Sequence, residues 1–231
     1  MSKIPTTEEM LKAGMHFGHR TSKWHPKMEP FIFTSRKGIH IINLEKTRKM
    51  MASALEFIEN LVKNEKTILF VGTKTQVQDS LKRIAEEMGM PYVTERWLGG
   101  CLTNFLIIKA SIKKYKDLLE NQQSGKLKKY TKKEQLEFSK QINKLKINVG
   151  GLVNLTKNPD AIFIWDIKKE KTALAEANKK NIPVIAVCDT NVNPKGVNYI
   201  IPSNDDATKA VKMILNTVRD AVLEAKNSIK K

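Results

Sequence analysis

The sequence predicts an α/β protein: a flavodoxin-like, doubly wound parallel sheet with an inserted α-helical hairpin of coiled-coil type. Continuous apolar runs of strand length alternate with stretches of helix length in both outer parts of the chain, and this alternation requires parallel pairing through right-handed crossovers. Five such runs favour a flavodoxin-like strand order. They are residues 67–71, 92–94, 161–165, 183–187 and 199–201.

The first 42 residues predict an irregular arm that ends in a β-hairpin. Two apolar segments, residues 31–34 and 39–42, flank the turn-forming residues 35–38. A helix is expected from residue 44, because apolar residues then recur at helical spacing. These residues are Leu44, Met51, Leu55, Ile58 and Val62.

The remaining helices of the sheet body are expected at residues 76–88, 170–180 and 205–226. The first of them should close at Gly89, since glycine readily adopts the left-handed conformation that ends helices. Asp205 or Asp206 is well placed to cap the last helix, because a carboxylate there accepts hydrogen bonds from free backbone amides.

Two apolar stripes between residues 101 and 150 have the spacing of a two-helix coiled-coil seam, with ordinary core burial as the alternative. The stripes are Phe105, Ile108, Ile112, Tyr115 and Leu119, then Phe138, Ile142, Leu145 and Val149. Thr131 and Glu134 predict a capping box at the start of the second helix. The chain is therefore expected to form a discontinuous body, residues 1–100 and 151–231, with a basic helical hairpin at 101–150.

The charge balance favours a phosphate-rich partner. The chain has 41 Lys and Arg against 24 Asp and Glu, a formal net charge of +17, and residues 101–150 alone hold twelve lysines and four acids. Nucleic acid is the first expectation and an anionic membrane surface the second, although a lysine-rich composition would by itself raise the charge. No apolar run approaches the roughly 20 residues that cross a bilayer, so no membrane partner is predicted. Cys101 and Cys188 form no metal-binding or disulfide motif, which favours a reducing, cytoplasmic compartment.

The strand ends are where a sheet of this type binds ligands. The Gly72-Thr73-Lys74 turn lacks the spacing of a phosphate loop, so a tight strand-to-helix turn is expected, with Lys74 available to an RNA phosphate. Aspartates at neighbouring strand ends could hold magnesium, or zinc if His16 or His19 folds over them; helix capping is the alternative for the last of these aspartates. No nucleophile motif is present, which points away from catalysis.

Several short sequence segments, distributed over nearly the whole chain, resemble those of a known family. They are residues 11–19 (LKAGMHFGH), 24–28 (WHPKM), 40–47 (HIINLEKT), 69–74 (LFVGTK), 96–100 (RWLGG), 102–104 (LTN), 189–191 (DTN) and 201–207 (IPSNDDA). In this order they closely resemble bacterial-type ribosomal protein S-two, the second protein of the small ribosomal subunit. The strings do not distinguish a bacterial from an organellar ribosome.

The resemblance implies a structural, non-enzymatic constituent of the small subunit that supports translation. It implies binding to small-subunit ribosomal RNA, contacts with neighbouring ribosomal proteins, and a role in docking the mRNA-binding ribosomal protein S-one, with no small-molecule substrate. It also implies a zinc site in the α/β body, for which His19, Asp189 and Asp205 are our assignment. Zinc or magnesium would there be a structural cation.

The RNA-binding candidates combine positive charge with expected exposure, since ribosomal RNA is gripped mainly through its phosphates. They are Arg20, Lys23, Trp24, His25, Lys27, Arg36, Lys37, Lys74, Arg96, Lys109, Lys113, Lys116, Lys128, Lys132 and Lys133. Trp24 could stack on an exposed base or plug the core. Trp97 is expected to be structural.

A nucleotide-dependent enzyme and an adhesion protein are the competing functions. The sequence lacks the phosphate loop that the first would need and the secretion signal that the second would need.

Overall fold

The computed structural model describes residues 4–229, so residues 1–3 of the predicted arm and residues 230 and 231 lie outside it. The α-helices are α1 Thr7–Lys12, α2 Leu44–Lys63, α3 Thr75–Met88, α4 Phe105–Gln123, α5 Lys132–Val149, α6 Lys171–Lys179 and α7 Thr208–Ile229. The strands are β1 Phe17–Arg20, β2 Ile32–Arg36, β3 Ile39–Ile42, β4 Ile68–Val71, β5 Tyr92–Val93, β6 Ala161–Trp165, β7 Val184–Cys188 and β8 Tyr199–Pro202. Between residues 4 and 229, none of the helices combines the length and apolarity needed to span a membrane.

The central sheet has five parallel strands in the order β5-β4-β6-β7-β8, which confirms the predicted flavodoxin-like α/β fold. Its middle strands are buried on both faces, as their unbroken apolar sequences require. Alternate residues therefore enter two separate cores. Phe70 and Phe163 face the core beneath α2, α3 and α7, whereas Leu69 and Ile164 face the core beneath α4, α5 and α6.

The predicted N-terminal arm is more regular than its sequence suggested. The β2–β3 hairpin forms as expected, with Lys37 and Gly38 at φ 50° and 75° in its turn, but β1 also pairs with β3 to make a three-stranded antiparallel sheet. Helix α1 was not expected either. Its capping box, formed by Thr6 and Glu9, follows the Thr-x-x-Glu pattern that could have revealed it.

The last helix begins at Thr208, so the prediction that Asp205 or Asp206 caps it is wrong. The amide oxygen of Asn204 accepts hydrogen bonds from the backbone nitrogens of Asp206 and Ala207, which forms a turn just before the helix. Asp205 is instead buried beneath Lys74. The helix start therefore lies three residues later than predicted, and both carboxylates contact Lys74.

Helices α4 and α5 pack on each other, and Thr131 and Glu134 form the predicted capping box. The apolar stripes include Ile108, Ile112 and Ile142, all buried in the same core as one face of the sheet. Where the helix pair joins the body, these residues are therefore core residues, continuous with the hydrophobic core of the sheet. The division into a body and a separate hairpin remains a prediction.

One carboxylate fixes the segment that leads into α4. Glu176 of α6 accepts hydrogen bonds from the Trp97 indole, from the backbone nitrogens of Gly100, Leu102 and Thr103, and from the Thr103 hydroxyl, at 2.8 to 3.0 Å. Burial opposes ionisation, but these hydrogen bonds outweigh it and hold the pKa of Glu176 below its ordinary value. Trp97 is thus structural, as expected, and the start of α4 is tied to α6.

Replacing this carboxylate tests whether its hydrogen bonds hold the segment before α4 against α6. Glu176→Gln removes the charge and leaves some of five donors without an acceptor, so we expect a loss of about 2 kcal/mol in the free energy of unfolding, measured by urea denaturation. Glu137→Gln, an exposed glutamate on α5, is the matched control and should change stability by less than about 0.5 kcal/mol. Equal effects of the two substitutions on stability would contradict a stabilising role for the Glu176 hydrogen bonds.

Candidate nucleic-acid interface and cation cluster

The three-stranded N-terminal sheet presents a basic and apolar outer surface. Arg20 and Arg36 both pair with Ile39 of β3, so the three side chains share one face of the sheet. Both arginines are exposed, as is Lys37 in the hairpin turn. Phe33 lies at a bulge in β2 and is 72% exposed. This surface offers cations for phosphates and apolar side chains that the core does not use.

Trp24 belongs to the same region and does not plug the core. Its side chain is 37% exposed, and its ring centre lies 5.3 Å from that of His40. Its neighbours Lys23 and Lys27 are exposed, while the His25 ring accepts a hydrogen bond from the Lys27 backbone nitrogen. The ring of Trp24 is therefore accessible to a stacking partner.

The basic candidates of the α4–α5 pair are also on the surface. Lys109, Lys113, Lys116, Lys128, Lys132 and Lys133 are all exposed, and so is Arg96 in the segment before α4. The structure therefore places every predicted RNA-binding cation at the surface except Lys74.

Lys74 lies among carboxylates at the carboxyl edge of the central sheet. Its ammonium nitrogen is 2.8 Å from Asp205 Oδ2, 2.9 Å from Asp206 Oδ1 and 3.2 Å from Asp166 Oδ2. Its side chain is only 16% exposed. The prediction that Lys74 meets an RNA phosphate is corrected, because three anionic groups of the protein already surround its charge.

The N-terminal sheet is joined to this edge through His19. His19 Nδ1 lies 3.1 Å from Asp189 Oδ2, its backbone nitrogen donates to the Thr190 hydroxyl, and the backbone nitrogen of His25 donates to the Thr190 carbonyl. Gly18 passes so close that an added Cβ would lie 2.7 Å from Thr190. His19, and not His16, is the histidine that folds over the strand ends.

The shared environment shifts several pKa values. Hydrogen bonding to Asp189 raises the pKa of His19 against the opposing effect of burial. Burial and the charge of Asp189 raise the pKa of Asp205 to about 6, although Lys74 opposes them. Burial lowers the pKa of Lys74, but contact with Asp205 and Asp206 outweighs burial, so that pKa is raised. Each of these groups retains its proton to a higher pH than it would in water.

The donor atoms of His19, Asp205 and Asp206 lie within 4.8 Å of one another, an arrangement that could hold a metal ion. Two of our assigned ligands, His19 and Asp205, belong to this group. Asp189 instead holds the other ring nitrogen of His19, which is the usual role of a carboxylate behind a metal-binding histidine. Apart from the Lys74 ammonium, 2.8 Å from Oδ2, the buried carboxylate oxygens of Asp205 have no hydrogen-bond donor among residues 4–229. The donor set therefore fits zinc or magnesium.

In the predicted strand-to-helix turn after β4, the backbone groups of Thr73 are hydrogen-bonded within the protein and the space around Gly72 is occupied by side chains. The backbone nitrogen of Thr73 donates to Glu170, the Lys169 ammonium donates to the Thr73 carbonyl, and an added Cβ on Gly72 would meet Leu81 and Trp165 at 3.0 and 3.1 Å. This packing agrees with a tight turn and leaves the Thr73 amide occupied.

The His19–Asp189 contact predicts a pH-dependent stability. The folded state holds the His19 proton more tightly than the unfolded chain, so the stabilisation is complete below about pH 6.5 and is lost as the pH rises through the raised pKa. We expect His19→Asn to lower the melting temperature more at about pH 6 than at about pH 8 in thermal unfolding.

The double variant provides the control. In an Asp189→Asn background the largest effect that raises the His19 pKa is absent and only the charges of Asp205 and Asp206 remain, so the effect of His19→Asn should differ less between the two pH values. A pH dependence of undiminished size in this background would show that the His19–Asp189 contact is not its source.

A comparison with known protein families agrees with the fold and with the strings along the chain. Residues 10–225 of the 231 match the family model described as Ribosomal protein S2. The match includes the three-stranded sheet from β1 onward, the group formed by His19, Asp205 and Asp206, and both α4 and α5. This chain therefore belongs to the ribosomal protein S2 family, whose members are structural, non-enzymatic proteins of the small ribosomal subunit.

Proposed function

We propose that this protein binds small-subunit ribosomal RNA directly, through the outer face of the N-terminal sheet and the basic surface of α4 and α5, within a cytoplasmic ribosome. The observation that carries the proposal is the exposure of almost every predicted RNA-binding cation on two such surfaces. Phosphate recognition needs cations that are accessible and held on a rigid scaffold. Both requirements are met here, because pairing in a sheet and packing of two helices fix the backbones from which these side chains project.

The two surfaces favour different parts of an RNA. The N-terminal sheet presents Arg20 and Arg36 on the face of Ile39, which suits phosphates. The accessible ring of Trp24 lies beside His40, whose side chain points to the opposite face of β3, and suits stacking on an unpaired base. The surface of α4 and α5 is lysine-rich along its length and suits the phosphate backbone of a duplex. RNA held by both would bridge the sheet and the helix pair.

Salt dependence tests the RNA contacts. Removing two phosphate contacts with Arg20→Gln and Arg36→Gln should weaken binding to small-subunit ribosomal RNA, and the slope of log K against log salt concentration should fall by about one for each lost contact. Filter binding over a potassium chloride series measures both quantities.

Lys179→Gln with Lys180→Gln is the matched control. These exposed lysines end α6, at the amino edge of the central sheet and opposite the N-terminal sheet. The control pair should leave the slope unchanged. An unchanged slope in the arginine variant would contradict phosphate binding by this face.

We further propose that the N-terminal sheet contributes to docking ribosomal protein S-one, and that a zinc or magnesium ion held by His19, Asp205 and Asp206 supports this. Phe17, Phe33 and Ile39 are 48%, 72% and 37% exposed, which is more apolar surface than phosphate binding uses. A bound cation would offset the carboxylates of the cluster and keep His19, and with it β1, against the strand ends. Asp189 would keep the ring of His19 oriented.

Calorimetric titration with purified S-one tests this second proposal. Phe33→Ser should weaken binding about tenfold, because it removes one exposed aromatic anchor. Leu136→Ser, at an exposed leucine on α5, is the control and should have no effect. Equal affinities of these variants would contradict docking by the sheet. Less than stoichiometric zinc and magnesium in the purified chain would overturn the cation while leaving the docking surface intact.

A further inference from the structure

An aliphatic groove lies at the start of α4. It shares no residue with the three-stranded sheet or with the candidate metal site formed by His19, Asp205 and Asp206. Its volume is about 480 Å³. Leu106 and Ala110 of α4 line one side, and Val153 and Leu155, from the segment that follows α5, line the other. Leu155 is buried, so the floor of the groove is continuous with the core, whereas the α4 wall stands in solvent.

The fold does not account for the apolar residues on the outer side of α4. Ile108, Ile112 and Tyr115 already supply its buried stripe. Leu106 is 79% exposed, the highest value among the large hydrophobic side chains of residues 4–229, and Ile107 beside it is 61% exposed. Neighbouring exposed aliphatic groups next to a groove are typical of a surface that another molecule covers.

The rim of the groove is positively charged. Lys109, Lys113 and Lys116 line it and follow one another at helical spacing along α4, and all three are exposed. Among residues 4–229, Asp117 is the single carboxylate in the lining. A partner that fits must therefore supply negative charge around an apolar centre.

The chemistry of the floor separates the possible partners. Nucleobases stack on aromatic rings, and none of the residues that line this groove is aromatic. Phosphates alone would leave the aliphatic floor exposed. A second copy of the chain would bring another net charge of +17 to a lysine rim. An acidic protein segment with an apolar face satisfies both the floor and the rim.

We propose that this groove is a docking site for an acidic, amphipathic segment of a partner protein. An aliphatic or aromatic side chain of the segment enters between Leu106 and Val153, and its flanking carboxylates pair with Lys109 and Lys113. The burial of the apolar side chain provides affinity, and the lysines provide selection for acidic partners. Lys109 and Lys113 also belong to the α4–α5 surface proposed to bind RNA, so the acidic segment and RNA would compete for them. The inference does not depend on the N-terminal sheet or on the cation proposed above.

The test uses the full chain and a synthetic helical peptide that has leucines along one face and glutamates on the other. Fluorescence anisotropy should detect binding of this peptide, whereas the same peptide with lysines in place of glutamates should not bind. Leu106→Ser should weaken binding about tenfold, since it removes one apolar wall of the groove. Lys109→Glu with Lys113→Glu should weaken binding at least as much, and more strongly at low salt.

Matched controls on α5 separate the groove from general effects. Leu136→Ser replaces another exposed leucine, and Lys140→Glu with Lys144→Glu reverses the same amount of charge on exposed lysines. Neither should change the affinity by more than about twofold. Circular dichroism would verify that each variant is folded.

Several outcomes would overturn the proposal. These are failure of the acidic peptide to bind, equal binding of the acidic and basic peptides, and equal effects of Leu106→Ser and Leu136→Ser. If Leu106→Ser weakens binding of an RNA oligonucleotide or of anionic phosphatidylglycerol vesicles while the acidic peptide does not bind, the groove serves that ligand instead.

Discussion

The gathering of negative charge at the carboxyl edge of the central sheet is the constraint on which the rest of the structure depends. Parallel pairing brings the ends of β4, β6, β7 and β8 to one edge, and these ends supply Lys74, Asp166, Asp189 and Asp205. Buried carboxylates are tolerated only when cations or hydrogen bonds compensate them. Lys74 supplies one positive charge from within the body, and His19 brings a second group from outside it.

This requirement explains why the N-terminal sheet has a fixed position. A sheet of three short strands has little core of its own, so it needs contacts with the body to be held in place. His19 and its backbone nitrogen meet Asp189 and Thr190, and Gly18 allows the close approach. The same contacts that compensate the carboxylates therefore orient the sheet that carries Arg20, Arg36 and Phe33. Charge balance in the interior and the presentation of the outer surface are thus linked.

A second carboxylate, Glu176 on α6, works in the opposite way. Glu176 is one anion surrounded by five donors, and it fixes the segment from Trp97 to Thr103 before α4 begins. Nothing in the local sequence around Glu176 marks it for this role, since a glutamate within a helix is ordinarily solvated. Its partners lie more than seventy positions earlier in the chain, and only the packing of α6 beside that segment brings them together.

The sequence by itself determined the strands, most of the helices and their order in the sheet, because apolar periodicity and chain connectivity act locally and allow few arrangements. It also identified His19, Asp189 and Asp205 as a candidate metal site. The tertiary structure alone decided that Lys74 faces three carboxylates and not RNA, that Asp206 joins the cluster, and that Leu106 remains in solvent. These outcomes depend on distances between residues far apart in the chain, and such distances are fixed only when the strands and helices pack.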